Sequence, residues 1–127
     1  ARAVPGALEK FSEYGSTSTH SSSGTYTVNA NNNLHVVTLG ANITSFTMSN
    51  FIEDAKYSHG VTLYLIQDGT GSRAISFTAG ASETFKFANG NKTANTSAGD
   101  ITTVYIFNVW NGSSHTYYFT VGPSYTT

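Results

Sequence analysis

From Tyr26 to Val121 apolar and polar residues alternate in short runs, and most runs end in Gly, Asn, Asp or Ser. Alternation with a period of two is the pattern of a half-buried strand. It predicts strands over 25–29, 34–39, 42–48, 61–67, 72–78, 83–87, 101–109 and 114–121. Strands so short and so regularly spaced predict an all-β, antiparallel β-sandwich or jelly-roll-like domain. Val61, Leu63 and Leu65 share one face of their strand, and so do Ile75 with Phe77, Tyr105 with Phe107 and Val109, and Tyr117 with Phe119 and Val121. These sets are expected to line a common core, with Leu65, Ile75 and Phe107 buried in it. The strand over 101–109 is apolar on its other face too, at Val104 and Ile106. One core covers one face, so Val104, Ile106, Trp110 and Tyr118 are expected at a subunit interface or under the N-terminal arm.

The pattern breaks in three places. Residues 1–24 carry no alternation and end in a Ser/Thr/Gly run, which predicts an arm and tether ahead of a domain over 25–127. Leu8, Phe11 and Tyr14 recur every three residues within the arm, as on one face of a helical turn near 6–14. Residues 49–60 mix apolar and charged side chains, and a single helical turn near 50–57 or a loop is expected there. Residues 88–100 form a long polar loop, and Asn111-Gly112 between two alternating runs predicts a hairpin.

Composition sharpens this picture. Only 10% of the 127 residues are charged and the net charge is −1, so no basic surface exists to follow a nucleic-acid backbone. Aromatic residues reach 13%, which favours strands over helices. The absence of cysteine removes disulfides, thiolate chemistry and Cys-bearing zinc sites. No apolar run reaches the ~20 residues of a membrane-spanning helix, and residues 1–10 lack the apolar core of a signal peptide. Sequons at Asn42, Asn91, Asn95 and Asn111 are what chance provides in a chain so rich in Asn, Ser and Thr.

Candidate chemistry is thin. The stretch Asp68-Gly69-Thr70-Gly71-Ser72-Arg73 has the glycines of a phosphate loop, but a strand pattern follows it instead of a helix whose N-terminus would hold the anion. A β-hairpin turn is the expected structure. His20, His35, His59 and His115 include no pair at His-x-His or His-x-x-x-His spacing, and solvated imidazoles are expected at His20 and His115. Capping and surface roles suffice for the acids Glu53, Asp54, Asp68, Glu83 and Asp100. No catalytic residue, metal site or cofactor is expected. Trp110, Tyr117, Tyr118 and Tyr125 cluster about the last hairpin, as they would either at an interface or in a sugar site.

The order of segments carries more information than any one residue. "VVTLGANITSFTMSNF", "TLYLIQDGTGSRAISF" and "FKFANGNKTANTSAGDITTVYIFNVWNGSSHTYYFTVG" together resemble a domain recurring in virion proteins of tailed bacteriophages, in tail fibres and in head decoration alike. The resemblance covers about residues 34–121. Gly71-Ser72 stands where that family commonly has Gly-Gly. The resemblance implies a non-enzymatic virion structural protein. A small domain behind an arm favours a capsid decoration, or cement, protein on the outer capsid surface, self-associating as a homotrimer; the alternative is a tail-fibre or receptor- and carbohydrate-binding module. In the first case the arm binds the major capsid protein lattice, with Val4, Leu8, Phe11 and Tyr14 as apolar anchors and Arg2, Glu9, Lys10 and Glu13 fixing register.

Overall fold

The computed structural model describes residues 15–126. The arm residues Arg2, Val4, Leu8, Glu9, Lys10, Phe11 and Tyr14, and the helical turn expected near 6–14, lie outside the described residues. Eight strands follow in chain order: β1 (Gly15–His20), β2 (Gly24–Asn29), β3 (Leu34–Leu39), β4 (Ile43–Ser49), β5 (Gly60–Gln67), β6 (Thr84–Phe87), β7 (Ile101–Trp110) and β8 (His115–Tyr125). A single 3-10 turn at Ala88–Gly90 is the one helical element among the described residues. The segment 50–57 runs without a helix. The chain is all-β, as the alternation predicts.

Strand direction departs from the expectation. The larger sheet has the order β1-β3-β5-β7-β8-β6, and β2 pairs with β4 in a second layer. Pairs β1–β3, β3–β5, β2–β4 and β6–β8 are parallel; only β5–β7 and β7–β8 are antiparallel. The cause lies in the connections. Successive strands from β1 to β5 alternate between the two layers, so each strand returns to its own layer running the same way as before. Gly15 sits beside Leu34 and Gly24 beside Ile43, the same step along the chain in each layer. Residues 15–20, expected as tether, are the outermost strand of the large sheet.

The Asp68–Arg73 turn continues this coiling and is not a hairpin. Residues 74–79 leave β5 and run parallel to β4 in the second layer, through bridges Ile43–Ile75 and Phe46–Ala79. Gln67 directs the crossing. Buried at 2% exposure, its Nε2 donates to the carbonyls of Arg73 (2.8 Å) and Asn95 (3.2 Å), and its Oε1 accepts the Arg73 N–H (2.9 Å). Asp68 Oδ1 accepts the N–H groups of Thr70 and Gly71, and its Oδ2 pairs with Arg73 Nη2 at 2.9 Å. The hydrogen bond from Arg73 holds the Asp68 carboxyl below the ordinary carboxylate range. The amides a phosphate would need are thus occupied by the chain's own carboxylate. Gly71 turns at φ +70°, where an added Cβ would meet the backbone of Thr96 and Ala98.

The core fills the space between the layers. Val37 and Leu39 of β3, Val61, Leu63 and Leu65 of β5, Val104 and Ile106 of β7, and Phe119 and Val121 of β8 meet Val28, Ile43, Phe46 and Phe77 from the second layer. Phe46 stacks on Phe77 (5.4 Å, 3°), and Phe77 meets Phe119 edge-on at 6.2 Å, so aromatic rings join the layers. His35 is a buried clamp: its Nε2–H donates to the Asn29 carbonyl at 2.9 Å, and its Nδ1 accepts the Tyr26 hydroxyl at 2.7 Å.

Candidate functional site: an open aromatic face and a polar groove

Register places the expected interface residues on different sides. Ile106 lies opposite Val61 and Phe119, and Val104 opposite Leu63 and Val121. Both are fully buried between the layers, so neither faces another subunit. The other face of β7 is the open one: Tyr105 is 46% exposed, Val109 44%, and Phe107 half-buried. Phe107 stacks on Tyr118 of β8 at 5.0 Å and 13°, and Tyr105 adjoins Phe107 at 6.1 Å. Exposed Tyr64 on β5 extends this aromatic face. Of the three residues expected in the core, Leu65 is buried, Ile75 packs half-buried against it, and Phe107 belongs to the outer face.

Trp110 stands elsewhere, at the end of β7, where it pairs with His115 across the hairpin. Asn111 Oδ1 accepts the N–H groups of Ser113 and Ser114, which draws the loop tight and holds both serines beside the indole. The rings of Trp110 and His115 lie 4.7 Å apart at 56°, and His115 stacks on Tyr117 at 5.2 Å. His115 is not the solvated imidazole expected from its place beside a turn, because its side chain is only 14% exposed. Asn108 Nδ2 donates to its Nδ1 at 3.1 Å, which leaves the ring proton on Nε2, facing Glu53 Oε2 at 3.7 Å. Asn108 is itself fully buried, donating to the Ile52 carbonyl (2.8 Å) and accepting the His59 N–H (2.7 Å). His20 is also engaged, with Nε2 donating to the Asn42 carbonyl at 3.0 Å.

These residues wall a polar groove in two compartments, about 510 Å³ and about 280 Å³, which share Glu53, His115 and Tyr117. Asn31, Asn50 and Phe51 line the larger, and Ser82, Glu83, Thr84, Trp110 and the two serines line the smaller. Glu83 reaches across to β4, where Oε2 accepts the Met48 N–H at 2.9 Å; its Oε1 is buried and unpartnered among the described residues. Burial, and then the charges of Glu83 and Glu53, push the Tyr117 hydroxyl up to about 12. Rings, amides, hydroxyls and two carboxylates in one cleft suit the recognition of a polar molecule with flat apolar faces. Among the described residues no three His, Cys, Asp or Glu side chains gather as a metal site.

Of the groove residues, sequence reasoning singled out Trp110 and Tyr117 but missed the partnership of Glu53, Glu83 and His115, with the buried Asn108 behind His115. Their segments are distant along the chain and meet only through the β4–β5 connection, the loop before β6 and the last hairpin. The aromatic doublet about Asn111-Gly112 was the one local signal.

The sequence has a counterpart among known families. Residues 18–121 match a family described as "Putative phage tail fibre C-terminal domain". No curated protein and no solved structure matches the chain. The match spans β2 to β7 in full, half of β1 and most of β8, so the chain belongs to this family of phage structural domains and is a component of the virion.

Proposed function

We propose that the domain is a non-enzymatic adhesion module of a phage tail fibre, which holds a saccharide of the host surface in the groove beside Trp110. The observation that carries this reading is the indole itself: half-buried, tilted against His115 and flanked by Ser113, Ser114 and Thr84, it offers a ring face next to hydrogen-bonding groups. Sugar rings have an apolar face and a polar rim and require that combination. The family description supports a tail location over the capsid-cement role, whose proposed contacts all lie in residues 1–14.

Labelled protein is expected to adhere to host cells, and Trp110→Ala to weaken retention about 30-fold, the equivalent of ~2 kcal/mol for a central aromatic anchor. Undiminished adhesion by a folded Trp110→Ala protein would remove the groove from the contact. Antibody labelling of intact particles on the head instead of the tail would favour the cement role.

Self-association as a trimer also remains a proposal, now on a different surface. With Val104 and Ile106 taken by the core, the outer row of Tyr64, Tyr105, Phe107 and Tyr118 is the face left for a second copy. Sedimentation is expected to show an oligomer that Tyr105→Lys converts to monomer. A wild-type monomer at high concentration would rule this out.

A further inference from the structure

The proposed saccharide site has a charge character that selects among sugars. Two acids, Glu53 and Glu83, stand on the groove's wall, and among the described residues neither Lys nor Arg lines either compartment. The His115 Nδ1 is engaged by Asn108, and its Nε2 faces Glu53. The Tyr117 hydroxyl, raised first by burial, is pushed further the same way by the charges of Glu83 and Glu53. The wall therefore offers acceptors. Glu53 is 66% exposed, and Glu83 Oε1 lacks a donor among the described residues. A ligand that fits must bring donors: hydroxyl, amide N–H or ammonium groups. One carrying a carboxylate, sulfate or phosphate would set like charges side by side in a partly desolvated cleft.

Resting on the adhesion reading above, we infer that the groove takes uncharged or amine-bearing saccharides and rejects acidic ones. The Trp110 face supplies stacking, Glu53 and Glu83 accept from ring hydroxyls or an amino group, and Asn31 and Asn50 extend the polar wall into the larger compartment. The site is long enough in two compartments for more than one sugar unit, so oligomers should bind more tightly than monomers.

The test is retention of the full chain on immobilised oligomers of glucose, N-acetylglucosamine and glucosamine, against sialyllactose and heparin, with Glu53→Lys and Trp110→Ala proteins in parallel. Wild type is expected on neutral or amino oligomers at least tenfold above the acidic probes. Glu53→Lys, at an exposed position that leaves the core untouched, should narrow or reverse that ratio. Preference for sialyllactose or heparin would overturn the charge selection, and so would a ratio that Glu53→Lys leaves unchanged. Trp110-dependent adhesion to host cells without retention on any neutral or amino probe would also overturn the selection while leaving the adhesion reading intact. Adhesion indifferent to Trp110 would overturn both.

Discussion

Phe46→Ala is expected to destabilise the domain by ~3–5 kcal/mol and to lower its melting temperature by roughly 10–20 °C. Phe46 is fully buried, stacked on Phe77 and edge-on to Tyr26 at 6.2 Å. Its removal would leave a cavity between two layers whose backbones are held apart by their own ladders, so the space cannot close by collapse. Phe107→Ala offers the contrast. Its ring lies on the outer face against Tyr118, half-buried, and its loss should cost only ~1 kcal/mol in the free domain. Chemical denaturation of both variants decides the matter. Similar losses at the two sites would mean that the outer face is covered after all; a loss below ~1 kcal/mol for Phe46→Ala would remove it from its place as the ring joining the layers.

The misplacement of Phe107 in the sequence reading is instructive, because the means to avoid it were present. Both faces of β7 are apolar, with Tyr105, Phe107 and Val109 on one and Val104 and Ile106 on the other, so alternation alone does not say which set turns inward. Pairing parity settles the question. The loop between Trp110 and His115 has an even number of residues, so odd positions on β7 stand opposite even positions on β8. Once Tyr117, Phe119 and Val121 are assigned to the core, Asn108, Ile106 and Val104 must join them. Strand existence was legible because alternation is local. Strand direction was not, since Val, Thr and Tyr in a short run favour a pleated surface whichever way the neighbour runs. The parallel pairs follow from connections that swap layers, and those depend on turns such as Asp68–Arg73, whose glycines fit a hairpin and a crossover equally well. The groove shares that limit. Trp110 and Tyr117 stood out as aromatic, but Glu83 acquires its role only when the loop before β6 returns to β4 and meets the Met48 amide.

The crossover yields the second large effect. Gln67→Leu keeps the size of the side chain but removes all three hydrogen bonds that the Gln67 amide makes, and it is expected to cost ~3–5 kcal/mol. Three backbone groups would lose their partner: the Arg73 N–H, the Arg73 carbonyl and the Asn95 carbonyl. The last belongs to the long polar loop, which is tied to the same place by Ser72 N–H to the Thr96 carbonyl at 2.6 Å and by Gly99 N–H to the Gln67 carbonyl at 3.2 Å. Gln67 is therefore the point where β5, the crossing segment and the loop before β7 meet, and it does by side chain what a strand ladder does elsewhere. The neighbouring Asp68–Arg73 pair is more exposed and cannot replace it, because it joins the two ends of the turn to each other and not to the loop. Hydrogen exchange should locate the damage: in Gln67→Leu the amides of Gly71, Ser72 and Arg73 should lose protection before those of β7 and β8. A loss below 1 kcal/mol with these amides still protected would show that the crossing holds without Gln67. The consequence reaches the groove, since residues 74–79 lead through Gly80 to Glu83, and the Gly80 amide is itself bonded to the Phe46 carbonyl at 2.8 Å. A crossing that frays should therefore loosen the Glu83 wall and weaken the proposed saccharide retention more than it disturbs the Trp110 hairpin, which is built on the other end of β7 from the Ile66–Ile101 pair.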